Sequence, residues 1–159
     1  MILSGQSIRE AGIIDPFSER EKIHNISHGL GFASYDCRVD LKSFEKQVVL
    51  HAGVSILVCT VEHFTMPNNL VGLVKDKSSW MRQGLSLTQP IIDPGFKGYL
   101  TLRFTNVGKN EIIIPNGCGI MQVVFEKTDK PCNPYDGSYQ NHPSGIIGSA
   151  FKMKKELLS

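Results

Sequence analysis

The chain has no C-x-x-C pair, no H-E-x-x-H helix signature and no G-x-x-x-x-G-K-[ST] loop. A built zinc site and a P-loop nucleotide cradle are therefore not expected. Pro131-Cys132 matches half of a zinc-deaminase signature, but the second Cys and the H-x-E element are missing. Charge is also sparse. Lys and Arg total 17 against 15 Asp and Glu, a net charge of +2, which is too weak a field for bulk nucleic-acid binding. No apolar run approaches the ~20 residues that cross a bilayer. Met1-Ile2-Leu3-Ser4 does not read as a signal peptide. Cys37, Cys59, Cys118 and Cys132 are expected to be reduced thiols in a cytoplasmic protein. There is no internal repeat and no linker, so residues 1–159 read as one domain, long enough to fold without a staple.

Helix signals are few. Ser4 or Ser7 can cap a short helix through Ile8-Arg9-Glu10-Ala11, stopped by Gly12, and a weaker helical pattern runs from Phe151 to Leu158. Strand signals dominate: Val54–Val61, Leu70–Val74, Tyr99–Thr105, Glu111–Ile114 and Ile120–Phe125. Turn residues separate them at Met66-Pro67-Asn68-Asn69, Asp93-Pro94-Gly95 and Pro115-Asn116-Gly117. Many short strands between such turns predict an all-β sandwich or jelly-roll-like barrel with one or two short helices. Within Tyr99–Thr105 the alternation sends Leu100, Leu102 and Phe104 into a core. It leaves Thr101 and Arg103 together on the wet face.

Two groups of residues carry chemistry. Asp93 sits on the turn before that strand. It either reaches a ligand or folds back to bond its own backbone, as turn aspartates often do. The stretch Lys75–Gly84 gathers Lys77, Ser78, Ser79 and Arg82 around Trp80-Met81. Hydroxyls, an ammonium and a forked guanidinium suit phosphate oxygens, and a helix beginning at Ser78-Ser79 would add its N-terminus. The same pattern also describes an ordinary capped surface helix.

Taken in order, these segments resemble the dCTP deaminase and dUTPase superfamily. Met1-Ile2-Leu3-Ser4, Ile14-Asp15-Pro16-Phe17 and Ser34-Tyr35-Asp36-Cys37-Arg38 look like the first third of a dCTP deaminase. Lys77–Leu85 is similar to the family's Ser/Arg phosphate motif. Ile92–Gly98, followed by Asn106, resembles its central motif, and Gly119-Ile120-Met121-Gln122 its glutamine motif. The resemblance spans nearly the whole chain. It implies a distorted jelly roll or β-barrel assembled as a homotrimer, with sites between subunits that bind a pyrimidine deoxynucleoside triphosphate and Mg²⁺. Ser78 and Arg82 would hold phosphates, Gln122 would contact the nucleotide, and Tyr135 and Tyr139 would lie near base and phosphates. The magnesium would ride on the triphosphate. A flexible C-terminal segment, about 136–159, is expected, and neither nucleic acid nor membrane is a partner.

The pattern breaks at the residue deamination needs most. The family's general-base Glu lies in a T-L-E strand, which here reads Thr101-Leu102-Arg103. A guanidinium stays protonated and cannot take a proton from water. The stretch Leu85–Ile91 is also shorter than in deaminases. Ser138 stands for a Lys, and His142 for a Gln. The hydrolytic half of the superfamily uses an Asp of the central motif against water, and Asp93 matches it. Ser144–Ala150 resembles the Gly/Ser-rich closing motif of dUTPases, with Ile147 nearest to its stacking aromatic. The leading expectation is hydrolysis of a pyrimidine dNTP, dUTP by default, to dNMP and pyrophosphate. Asp93 would then act on water, and Arg103 would add a phosphate or base contact. The alternatives are a dCTP deaminase using Asp93 or Asp36 as base, and a non-catalytic dNTP-binding regulator.

Overall fold

The computed structural model describes residues 1–44 and 46–150. In chain order it runs α1 (Gly5–Ala11), β1 (Ile14–Asp15), β2 (Glu21–Ile23), β3 (Ile26–Leu30), β4 (Tyr35–Asp40), β5 (Gln47–Leu50), β6 (Ser55–Thr65), β7 (Leu70–Asp76), α2 (Ser78–Met81), β8 (Leu85–Leu87), β9 (Ile91–Ile92), β10 (Lys97–Asn106), β11 (Ile112–Pro115) and β12 (Gly119–Lys127). One large sheet takes the order β8-β10-β6-β4-β12-β7-β9, with β1 beside β6 and β2-β3 beside β4. The pair β5-β11 stands apart. Every strand pair is antiparallel. No helix among the described residues is long and apolar enough to cross a membrane.

Local chemistry explains the element ends. Ser4 caps α1 by accepting the Ser7 N–H, and Gly12 closes it in the left-handed region at φ 62°, where a side chain is disfavoured. Ser4→Ala should therefore lower stability by about 1 kcal/mol; the urea midpoint checks this. The two-residue turn His24-Asn25, with both φ angles positive, folds β2 onto β3. His24 and His28 stand four residues apart. They fall on this hairpin and not on one helix face, so the H-x-x-x-H spacing does not make a helical ligand pair. The helical pattern at Phe151–Leu158 lies outside the described residues.

The expected strands are present; four are longer, and the run Glu111–Ile114 is shifted by one residue to Ile112–Pro115 at the same length. The run at Val54–Val61 becomes β6, extending to Thr65. Its second half alternates, with Thr60, Glu62 and Phe64 buried. A charged residue on the inward face made the pattern look finished at Val61. Glu62 is held there by Arg38 of β4, whose N–H and Nε each donate to one carboxylate oxygen at 2.8 Å. Burial still raises the Glu62 pKa, against the pull of Arg38. In β10 the expected alternation holds: Leu100, Leu102 and Phe104 are buried, while Thr101 is half-buried and Arg103 exposed. Tyr35, Phe64, Phe104 and Phe125 are the largest fully buried aromatics. Trp80 joins this core and donates Nε1–H to Gly119 O at 2.8 Å.

Candidate active site

The candidate residues divide between two cavities. The first, about 310 Å³, lies between the β9–β10 turn, β10 and residues 135–149. Its lining includes Asp93, Thr101, Tyr135, Tyr139, His142 and Ile147. The second, about 430 Å³, is lined by Arg20, Ser34, Asp36, Lys77, Ser78 and Gln122, with Phe32 at its rim. They share no lining residue. Ser79, Arg82 and Arg103 are exposed and line neither.

Asp93 is placed by its turn. The backbone closes the loop: Phe96 N–H donates to Asp93 O at 3.1 Å, and Gly95 adopts φ 79°. The side chain is not used for this. Among the described residues no hydrogen bond or ion pair reaches the Asp93 carboxylate, which is half-buried on the wall of an otherwise largely apolar cavity. Between the two sequence readings of Asp93, the backbone-bonded turn former is not the arrangement adopted.

Residues 135–147 form a strap along this cavity. Gln140 ties the strap's start, donating Nε2–H to Gly95 O (2.9 Å) and Tyr135 O (2.7 Å) and accepting Lys97 N–H (2.7 Å). His142 crosses Gly98, where Tyr99 N–H donates to His142 O at 3.0 Å. Only glycine fits at 98, since a Cβ would lie 2.6 Å from His142 N. Further on, Gly145 N–H reaches Cys59 Sγ (3.3 Å), and Ile147 N–H reaches Thr101 Oγ1 (3.2 Å).

In the second cavity Lys77 is half-committed. Its Nζ donates to Ser27 Oγ at 2.9 Å and to the Asp36 carboxylate. An ammonium has three hydrogens, so one remains for a ligand. Gln122 donates Nε2–H to Asp76 O at 3.0 Å, which orients its side chain. The helix at Ser78 is a single turn with no side-chain cap, too short to add a useful dipole. The anion-binding capacity here rests on Arg20, Lys77 and the hydroxyls of Ser34 and Ser78. Sequence reasoning missed Arg20, which no motif or periodicity marked, and it quoted Ser34 only as the start of the Ser34–Arg38 segment, without a role. Among the described residues no three His, Cys, Asp or Glu side chains converge as metal ligands. Cys37, Cys59, Cys118 and Cys132 are free. Burial raises the pKa of the first three, that of Cys118 to about 12, which keeps those thiols unreactive.

Solved structures place this frame. The EIAV dUTPase, 22% identical, matches with a TM-score of 0.57 over 79% of this chain and 97% of its own. A dCTP deaminase from Agrobacterium tumefaciens, 18% identical, gives 0.63 over 80% of this chain and 48% of that one. These likenesses define a dUTPase-type curled β-sheet fold. The family described as dCTP deaminase-like matches residues 38–128. The dCTP deaminase of Pyrococcus horikoshii is 32% identical along 99% of this chain and 100% of its own length. A dUMP-forming dCTP deaminase of Methanospirillum hungatei is 34% identical over 69% of this chain and 63% of its own. The chain belongs to the dCTP deaminase-like family of the dCTP deaminase/dUTPase superfamily.

Proposed function

We propose that this protein hydrolyses a pyrimidine deoxynucleoside triphosphate, dUTP by default, to the monophosphate and pyrophosphate. The observation that carries the reading is the Asp93 carboxylate on its cavity wall, without a hydrogen-bond or ion-pair partner among the described residues, set against Arg103 at the deaminase's base position. A carboxylate free of internal bonds can take the proton of an attacking water; a guanidinium cannot. Water adds in line at the α-phosphorus, the bond to the bridging oxygen breaks, and pyrophosphate leaves. Asp93 holds the water's proton. Lys77 and Ser78, with Arg20 and Ser34 in the same cavity, hold phosphate oxygens, Ser79 and Arg82 add contacts from the exposed surface outside it, Gln122 contacts the nucleotide, and Tyr135 and Tyr139 pack near the base.

The two cavities share no residue, which agrees with a homotrimer whose protomers each lend one cavity to a common site. The family's magnesium fits this donor set as a passenger on the triphosphate. Among the described residues Asp36 is the one carboxylate lining the second cavity, and Lys77 already offsets its charge. The ion would supply charge neutralisation on the phosphates. A dUTPase from phage phi11 of S. aureus coordinates a structural Mg(II) ion.

A second reading, deamination of dCTP, is favoured by the names of the relatives above. Pyrophosphate release and ammonia release, each measured with dUTP and dCTP, separate the two. The expected result is pyrophosphate from dUTP and no ammonia from dCTP. Arg103→Glu, which restores the T-L-E pattern, should then bring ammonia release from dCTP above background. Rapid deamination by the unaltered protein would overturn the proposal, and nucleotide binding without turnover would make it a regulator.

A further inference from the structure

The strap meets the sheet at two residues that pair across it. Thr101 of β10 and Cys59 of β6 are cross-strand partners. Cys59 Sγ accepts the Gly145 N–H at 3.3 Å, and Thr101 Oγ1 accepts the Ile147 N–H at 3.2 Å. Just before them Lys42 Nζ donates to Ser144 Oγ at 3.1 Å. The side chains then divide. Ile146 lines a small cavity beside Phe44 and Leu57, whereas Ile147 and Gly148 line the Asp93 cavity. Thr101 Oγ1 also lies 3.0 Å from Nε2 of His142, which is 5% exposed. Nδ1 of that ring lies 2.7 Å from Pro143 O, which can only accept, so Nδ1 carries a hydrogen. With a neutral ring the hydroxyl donates to Nε2; with a charged ring it accepts from Nε2–H. Either way Oγ1 keeps a lone pair for the Ile147 amide. The ring orients the hydroxyl and does not decide whether it holds the strap.

We infer that Thr101 is a positioning residue whose hydroxyl docks the 145–148 segment on its own protomer's β6–β10 pair, building one wall of the Asp93 cavity before any nucleotide arrives. Thr101 lines that cavity itself, so the contact sits where the wall is needed. A sulfur is a weaker acceptor than a hydroxyl, so Thr101 carries more of the docking than Cys59. A wall fixed in advance takes nothing from the binding free energy for its own ordering, and the affinity for the ligand is higher for it. Valine has the shape of threonine and suits a strand as well. Thr101→Val therefore removes the acceptor while keeping β10 intact. The wall's effect on nucleotide binding rests on the function proposed above; the dock itself does not.

The test is hydrogen exchange of the Ile147 amide in the ligand-free full chain, corrected for intrinsic rate, with the central amides of β12 as reference. The parent's Ile147 amide should be protected. Thr101→Val should speed its exchange about three- to tenfold, the worth of one neutral hydrogen bond. Thr101→Ser, which keeps the hydroxyl, should restore the parent's rate. The β12 amides should be unchanged in both variants. A parent amide exchanging at its intrinsic rate, or Thr101→Val matching the parent, would overturn the dock. The parent's own protection decides the matter if Thr101→Val fails to fold. Affinity for a non-hydrolysable dUTP analogue is measured on the same proteins. It should weaken about three- to tenfold in Thr101→Val and recover in Thr101→Ser. A faster amide with unchanged affinity would overturn the role given to the wall. A protected amide in a parent that binds no analogue would retain the dock and reject the functional reading.

Discussion

Asp93→Asn should leave the protein folded and nearly inert. Its kcat for pyrophosphate release should fall by a factor of about 10²–10⁴, the usual worth of a positioned general base. KM for dUTP should change by no more than a few-fold, because none of the proposed phosphate-holding groups lines the Asp93 cavity; Lys77 and Ser78 line the other one. Stability should not change, since the carboxylate has no partner among the described residues and the turn is closed by Asp93 O and Gly95. The substitution separates two roles that sequence leaves together. Asn forms Asx turns as readily as Asp, so a residue serving only the turn would tolerate it. Steady-state kinetics and a urea melt on the same preparation give both readouts. Retained kcat would remove Asp93 from the chemistry.

Arg38→Met should be the most destabilising substitution among the polar residues considered. It leaves the Glu62 carboxylate, 0% exposed, without its guanidinium. Breaking a buried pair from one side costs about 3–5 kcal/mol. The loss should depend on pH, with a definite sign. Burial already raises the Glu62 pKa above its unfolded value, so the native state holds the proton to higher pH than the unfolded chain does. The corresponding stability is fully present below the unfolded pKa and is lost as pH rises through the folded one. Without Arg38 the folded pKa moves further up and that window widens. Arg38→Met should therefore look milder near about pH 5 than near about pH 8. Urea midpoints at the two pH values check this, and Arg38→Met/Glu62→Leu should recover part of the loss.

Much of the frame was legible in the residues. The period-two pattern of Tyr99–Thr105 is a consequence of side chains alternating across a pleat, and it survives any tertiary context that buries one face. Ser4 and Gly12 bracket α1 because their chemistry is local. The motif order from Ser34-Tyr35-Asp36 to Gln122 gave the superfamily. Less legible were β1, β2, β3, β8 and β9, which span two to five residues. So short a segment carries too few alternations to register, and it forms because a long neighbour such as β6 or β10 offers it hydrogen bonds. Glu62 hid the second half of β6 for a related reason: its inward place depends on Arg38, 24 residues earlier.

By itself, then, the sequence determined a β-rich frame and the superfamily, and it showed an arginine, Arg103, where the resemblance implies a Glu, since periodicity, local capping and residue chemistry act over a few positions. Only the tertiary structure decided that Asp93 is left unbonded on a cavity wall, that Lys77 keeps one hydrogen beside Asp36, and that His142 ties Ile147 through Thr101. Those relations join residues 40 or more positions apart, and they are set by how the sheet curls and where the C-terminal strap crosses it, which no local pattern encodes.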